Sequence, residues 1–200
     1  PYDIANPSNN WTLNTNKKGI LLEDYTGHKC TNCPAAATIA TQLEDDTALG
    51  VIVVSVHAST DGSFQSTDEV EFTVDYQTDA GDTYVQEMPG FIGNPMGTIN
   101  RNDGGYSNTN WYFSSNWATG VNDEISQENL DANIQLQYNY YPSTNGLFIH
   151  TETTFLNTLS GNYHLIVYLI RNDVVSPQKM NDGTIDHHYH HHACLLYTSP

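Results

Sequence analysis

Cys30 and Cys33, in the run Cys-Thr-Asn-Cys-Pro, are the residues whose type and spacing could do covalent chemistry. A thiolate at the first position can attack a disulfide sulfur. A second thiol one helical turn later can resolve the mixed disulfide. On that reading Cys30 attacks and Cys33 resolves. Thr31 and Asn32 are small and polar, which keeps Cys30 approachable. His28, two residues upstream, could modulate the thiolate if its charge lies near the sulfur. A lone CxxC has two other readings: an inert structural disulfide, or half of a zinc site.

The elements that must position these cysteines are legible around them. Residues 19–25 read as a strand. Pro34 fits the first turn of a helix, where its missing N–H would be unpaired anyway. Ile39 and Leu43 lie four apart, with Ala36 and Ala40 beside them, and give that helix one apolar face. Residues 51–56 are β-branched and nearly continuous, as expected for a strand covered on both sides. Strand, helix, strand at this spacing is a βαβ unit, and the simplest architecture is a central parallel sheet.

Residues 58–90 form a long polar insertion, in which 68–76 fits either a short helix or extended chain. Asn94-Pro95-Met96 follows, on the approach to a short strand. Thioredoxin-type folds set a cis-proline loop against an active CxxC, which makes Pro95 the candidate for that position. The alternative is an ordinary turn proline between Gly93 and Gly97. Trp117, Val121 and Ile125 recur every four residues and suggest a packed helix.

After residue 128 the texture changes. Segments 130–140, 147–155 and 162–170 are alternating or β-rich, with Ile134, Leu136 and Tyr138 on one face. Asn145-Gly146 and residues 160–162 suit hairpin connections. The expected fold class is α/β: a thioredoxin-like central sheet with flanking helices, then a β-rich, sandwich-like module. The expected division is a polar lead-in at 1–18, the thioredoxin-like domain at 19–128 with its insertion at 58–90, and the β-rich module at 129–192. That module is short enough to look truncated.

Composition bounds the partners. Six Lys and Arg face 23 Asp and Glu, for a formal charge of −17. A surface this negative disfavours DNA, RNA and anionic headgroups. The apolar stretches at 49–56 and 165–170 are too short to span a bilayer as helices. No signal peptide is visible, and the chain opens on Pro1 without an initiator Met; the true N-terminus is expected upstream, and any export or lipid-attachment segment with it. Membrane association would come only through such an anchor. No cofactor is expected. Three cysteines do not make a disulfide scaffold.

The segment Ile20-Leu-Leu-Glu-Asp-Tyr-Thr-Gly-His-Lys-Cys-Thr-Asn-Cys-Pro-Ala-Ala36 closely resembles a motif of Bacteroidetes outer membrane proteins of the 28-kilodalton type. The resemblance continues through residues 53–57, 94–101 and 163–178. It implies a thioredoxin-like domain followed by a β-rich module, exported and associated with the cell envelope at the periplasm or surface. The partners implied are envelope proteins bearing thiols or disulfides. By position, Cys30 and Cys33 match the redox pair and Pro95 the cis-proline. Arg171 departs from the acidic residue expected there. The family name indicates location rather than a β-barrel, for which this chain has too few alternating strands. A second function fits the same resemblance: a non-enzymatic envelope binding or adhesion protein that uses the fold as a scaffold and the disulfide as a brace.

His187, His188, His190, His191 and His192 form a dense cluster, weak candidates for a transition metal because such runs are compositional signals. His57, at the end of the buried strand, could pair with Cys30, but no third orienting group is identifiable. Residues 193–200 match nothing in the family and read as a non-native tail. On that reading Cys194 is foreign; otherwise it is an odd cysteine able to pair between chains.

Overall fold

The computed structural model describes residues 18–127 and 129–197. Ten strands run in chain order: β1 Ile20–Thr26, β2 Val51–His57, β3 Met96–Ile99, β4 Trp111–Phe113, β5 Ala132–Tyr141, β6 Gly146–Phe155, β7 Tyr168–Arg171, β8 Val174–Lys179, β9 Ile185–His190 and β10 Ala193–Tyr197. Three α-helices join them: α1 Cys33–Asp45, α2 Asp79–Glu87 and α3 Trp117–Ser126.

β1, α1 and β2 form the expected βαβ unit, and β1 pairs with β2 in parallel along its whole length. This pair is the centre of a six-stranded sheet ordered β4-β3-β1-β2-β10-β7. β3 runs antiparallel to β1, and β4 antiparallel to β3, so the sheet is mixed. Cys33, Ala36, Ala40 and Leu43 are the buried residues of α1, and their spacing makes one stripe. That stripe meets Ile20, Leu22, Val51, Val53, Ile99, Trp117 and Val121 on one side of the sheet. The other side gathers Tyr25, Val54, Val56, Val85, Met96, Trp111 and Cys194. Helices α1 and α3 thus cover one face, and α2 contributes Val85 to the other.

A buried charge crosses this frame. Glu23 is fully buried and accepts two bonds from Arg101, both 2.7 Å, and one from Thr98 Oγ1 at 2.7 Å. The Tyr168 hydroxyl donates to Glu23 at 3.1 Å, and the Arg101 guanidinium lies 3.7 Å from the centre of the Tyr84 ring. A buried carboxylate is tolerable when its lone pairs are filled in this way. Tyr168 lies on β7, so this bond also ties a late strand to β1.

The second half of the chain departs from the expected division. Lys18 and residues 129–163 belong to one unit; residues 19–127 and 164–197 belong to the other. The β5–β6 hairpin makes up the strands of the first, in unbroken register from Ala132 opposite Phe155 to Tyr141 opposite Gly146. Its Asn145-Gly146 turn is where the sequence reading put it. Ile134, Leu136, Tyr138 and Tyr140 are exposed along it. Residues 164–197 divide between the central sheet and a smaller β-sheet of their own. β7 and β10 complete the six-stranded sheet, and β8 and β9 form a two-stranded sheet beside it. The stretch read as a foreign tail supplies β10, which pairs with β2 in parallel and β7 antiparallel. Cys194 is buried within it. Residues 198–200, like the lead-in before Lys18, lie outside the described residues.

Candidate functional site

The CxxC sits where a strand hands over to a helix. β1 ends at Thr26, and a tight turn follows in which the Cys30 N–H donates to the Gly27 carbonyl at 3.0 Å. α1 begins at Cys33, with Pro34 in its first turn. Cys30 precedes the helix and Cys33 opens it. The two form a disulfide with Cα atoms 5.4 Å apart. The Asn94–Pro95 peptide is cis. The β1–β3 register pairs Tyr25 with Met96, which brings Pro95 level with Thr26, at the strand end from which the CxxC loop departs.

Both cysteines are only 2% exposed. Two segments cover them. The first is the 58–78 loop, in which the sequence left helix or extended chain open; it is irregular, and the insertion's helix, α2, comes later. Its Phe64 carbonyl accepts from the Lys29 N–H at 3.0 Å. Gln65, itself buried, donates to the Thr26 carbonyl at 2.6 Å and to Asn94 Oδ1 at 3.2 Å. One amide therefore links the insertion, the CxxC loop and the proline loop. Gly27 permits the contact: a Cβ there would lie 2.6 Å from the Phe64 carbonyl oxygen.

The second cover is the β8–β9 hairpin. The Lys179 N–H donates to the His28 carbonyl at 2.8 Å. Gln178 Nε2 donates to the Cys30 carbonyl at 2.9 Å and to the Gly27 carbonyl at 3.4 Å.

Behind the disulfide is a small cavity of about 20 Å³, lined in part by Asp24, Cys33, His57, Gln178 and His190. Asp24 is 1% exposed, and its Oδ1 has no hydrogen-bond partner among the described residues. Burial without a compensating charge pushes its carboxyl up to about 7. His57 is 2% exposed, with neither ring nitrogen bonded among the described residues. Burial first, then its neighbours His190 and His28, hold it down at about 3, so it is neutral. Its ring packs beside Tyr76 at 4.9 Å and His190 at 5.8 Å. It lines the same cavity as Cys33 and stands apart from any nucleophile–base hydrogen bond.

His28 is buried, with its ring 4.8 Å from Phe72 and Nε2 2.9 Å from the Ser66 carbonyl oxygen. Desolvation lowers its basicity. His187, His188 and His190 lie on β9, and His191 and His192 follow it. His191 pairs with Asp173 at 3.2 Å and His192 with Glu44 at 2.6 Å. Among the described residues no three His, Cys, Asp or Glu side chains are grouped to hold a metal.

Sequence reasoning missed two residues. Asp24 was an available signal: an acid inside an apolar strand, six residues before Cys30. Gln178 offered none, because an amide in an alternating strand reads as surface.

No family model matches this chain, and no curated protein does. Two solved structures are similar to it. One is HBP35 of Porphyromonas gingivalis, at 18% identity and a TM-score of 0.62, over 92% of this chain and 57% of that one. The chain thus spans little more than half of the HBP35 chain it matches. The other is a structural genomics target from Agrobacterium tumefaciens, at 11% identity and a TM-score of 0.51, over 91% of this chain and 73% of that one. With the mixed sheet, the flanking helices and the CxxC at the head of α1, the chain has a thioredoxin-like fold carrying a Cys30–Cys33 disulfide.

Proposed function

We propose that Cys30 and Cys33 form a thiol–disulfide exchange site in an exported, envelope-associated protein. The observation that carries this reading is Asp24: a buried acid, its Oδ1 without a hydrogen-bond partner among the described residues and its carboxyl pushed up by burial, lining the same cavity as Cys33. A brace has no use for a proton there, whereas exchange does.

In the reducing direction, the Cys30 thiolate attacks a partner's disulfide and releases one partner thiolate. Cys33 gives its proton to Asp24 and attacks Cys30, which releases the partner's second thiolate. Two electrons pass to the partner and the Cys30–Cys33 bond re-forms. In the oxidising direction the steps reverse, and protonated Asp24 supplies the proton that Cys33 takes up. Pro95 borders the loop a partner would approach. The partner class is envelope proteins bearing thiols or disulfides. The envelope location rests on the family resemblance of residues 20–36 and the segments after them.

The second reading, a binding scaffold with a structural disulfide, is favoured by the burial of both cysteines. The reduction potential of the pair and an insulin-reduction assay decide between them. A potential above about −300 mV with turnover supports exchange; one below it with no turnover selects the brace. Cys33→Ser should also trap mixed disulfides in envelope extracts.

A further inference from the structure

The β8–β9 hairpin is a sheet of its own. It leaves the central sheet after β7 and rejoins it at β10. Each junction holds a non-glycine residue at positive φ: Asp173 at 56° and His192 at 55°. His191 and Asp173, 3.2 Å apart, tie the junctions together. Ser55 anchors the base, its N–H donating to the His192 carbonyl at 2.9 Å and its Oγ to the His191 carbonyl at 3.0 Å. Short junctions with unusual backbone angles, fixed at a common base, are where a rigid rotation is absorbed.

The underside of the hairpin is polar. Val174, Ser176, Gln178 and His190 are buried, and only the first is apolar. Ser176 Oγ and His190 Nε2 have no hydrogen-bond partner among the described residues. Burying polar atoms without bonds costs free energy, so this contact gains little from being dry. Lys179 and Gln178 bond the hairpin to the CxxC loop. A surface whose buried side chains are mostly polar and in part unbonded is where local opening costs least.

We propose that the β8–β9 hairpin is a hinged lid over the Cys30–Cys33 disulfide, latched by Gln178 and Lys179, and that thiol exchange at Cys30 runs only from the lid-open state. This deepens, and rests on, the exchange reading above. It reconciles two observations that otherwise conflict: an acid poised beside Cys33, and sulfurs closed off from solvent. Rotation about the two junctions uncovers the loop and leaves Asp24, on β1, in place.

The test is access. The full oxidised chain is reduced with a water-soluble phosphine, and Cys30–Cys33 opening is followed by thiol release. In the wild type the rate should plateau as phosphine rises, because lid opening becomes limiting. Gln178→Glu sets carboxylate oxygens against the Gly27 and Cys30 carbonyls; it should raise the rate at least tenfold and speed Lys179 amide exchange in parallel. A wild-type rate that climbs linearly to that of an unstructured Cys-Thr-Asn-Cys peptide overturns the lid. So does Gln178→Glu accelerating Lys179 exchange without accelerating reduction. The wild-type plateau needs no variant, so a Gln178→Glu chain that fails to fold leaves the test standing. Insulin turnover reports separately on the exchange reading. Gated access without turnover removes that reading and keeps the lid; turnover with ungated access removes the lid and keeps the reading.

Discussion

The two sides of the CxxC loop are built from opposite materials. Beneath α1 the sheet is dry and apolar, with Ile20, Leu22, Ala40, Val53, Ile99 and Trp117 in one cluster. Toward the β8–β9 hairpin the buried atoms belong to Asp24, His57, Ser176, Gln178 and His190, several of them unbonded among the described residues. The first region decides whether the chain folds. Under the lid proposal the second governs access to the disulfide, because marginal contacts can open without unfolding the rest.

The contrast is broken most heavily in the apolar region. Trp117→Ala removes a fully buried indole and should cost about 3–5 kcal/mol. It should lower the denaturant midpoint of the whole 19–127 and 164–197 unit; a loss of only a tenth of that would mean α3 is peripheral to the core.

Asp24 comes next. The native chain holds its proton up to about 7, whereas the unfolded chain releases it near 3.8. Its contribution is therefore intact below about pH 4, declines as pH rises to about 7, and is flat above. The decline amounts to about 4 kcal/mol at most, at ~1.4 per pH unit. Asp24→Asn should remove this contribution alone, so that the stability difference between variant and wild type changes by up to about 4 kcal/mol between pH 4 and 7. A slope unchanged by Asp24→Asn would place the titrating group elsewhere.

His57 acts in the other direction. The unfolded chain binds its proton below about 6.5, and the native chain refuses it until about 3. The His57 contribution should fall as pH drops from 6.5, by roughly 3 kcal/mol at pH 4, against the opposite contribution of Asp24. His57→Leu should remove most of that acid loss, as read from urea midpoints at pH 4 and 7.

Ser176→Ala should do least. Its hydroxyl is buried without a partner among the described residues, so the change should be neutral or stabilising by up to about 1 kcal/mol. A loss above 1 kcal/mol would show that the hairpin's underside is better bonded than its geometry indicates.

The same contrast separates what the sequence reveals from what it hides. Apolar periodicity is a direct trace of burial, so β1, α1 and β2 are legible from Ile20 to Val56, and Pro34 marks the helix start. The CxxC and Pro95 stand out because their residue types are rare and positionally meaningful. The late strands are another matter. The run from Leu165 to Ile170 signals burial but carries no address, and only part of it becomes β7. Nothing local says that β7 and β10 return to a sheet begun at residue 20; that placement depends on pairings such as Ala193 with Ser55 and on the Tyr168–Glu23 bond. Residues 193–197 match nothing in the resembling family, and a local stretch does not encode which edge of a sheet stands open to it. Asp24 was visible as an anomaly. Gln178 was not, because its role lies in bonds to carbonyls some 150 positions earlier.

That separation along the chain sets an order of events. Cys30 and Cys33 leave the ribosome well before residue 178 follows. Until it does, the hairpin cannot close over them, and the nascent thiols face any oxidant in the compartment. If the hairpin is the lid proposed above, disulfide formation is easiest early in the chain's life, when its own synthesis holds the site open. After the late strands arrive, the oxidation state set at birth is sealed in, and changing it requires the finished protein to reopen what translation left uncovered.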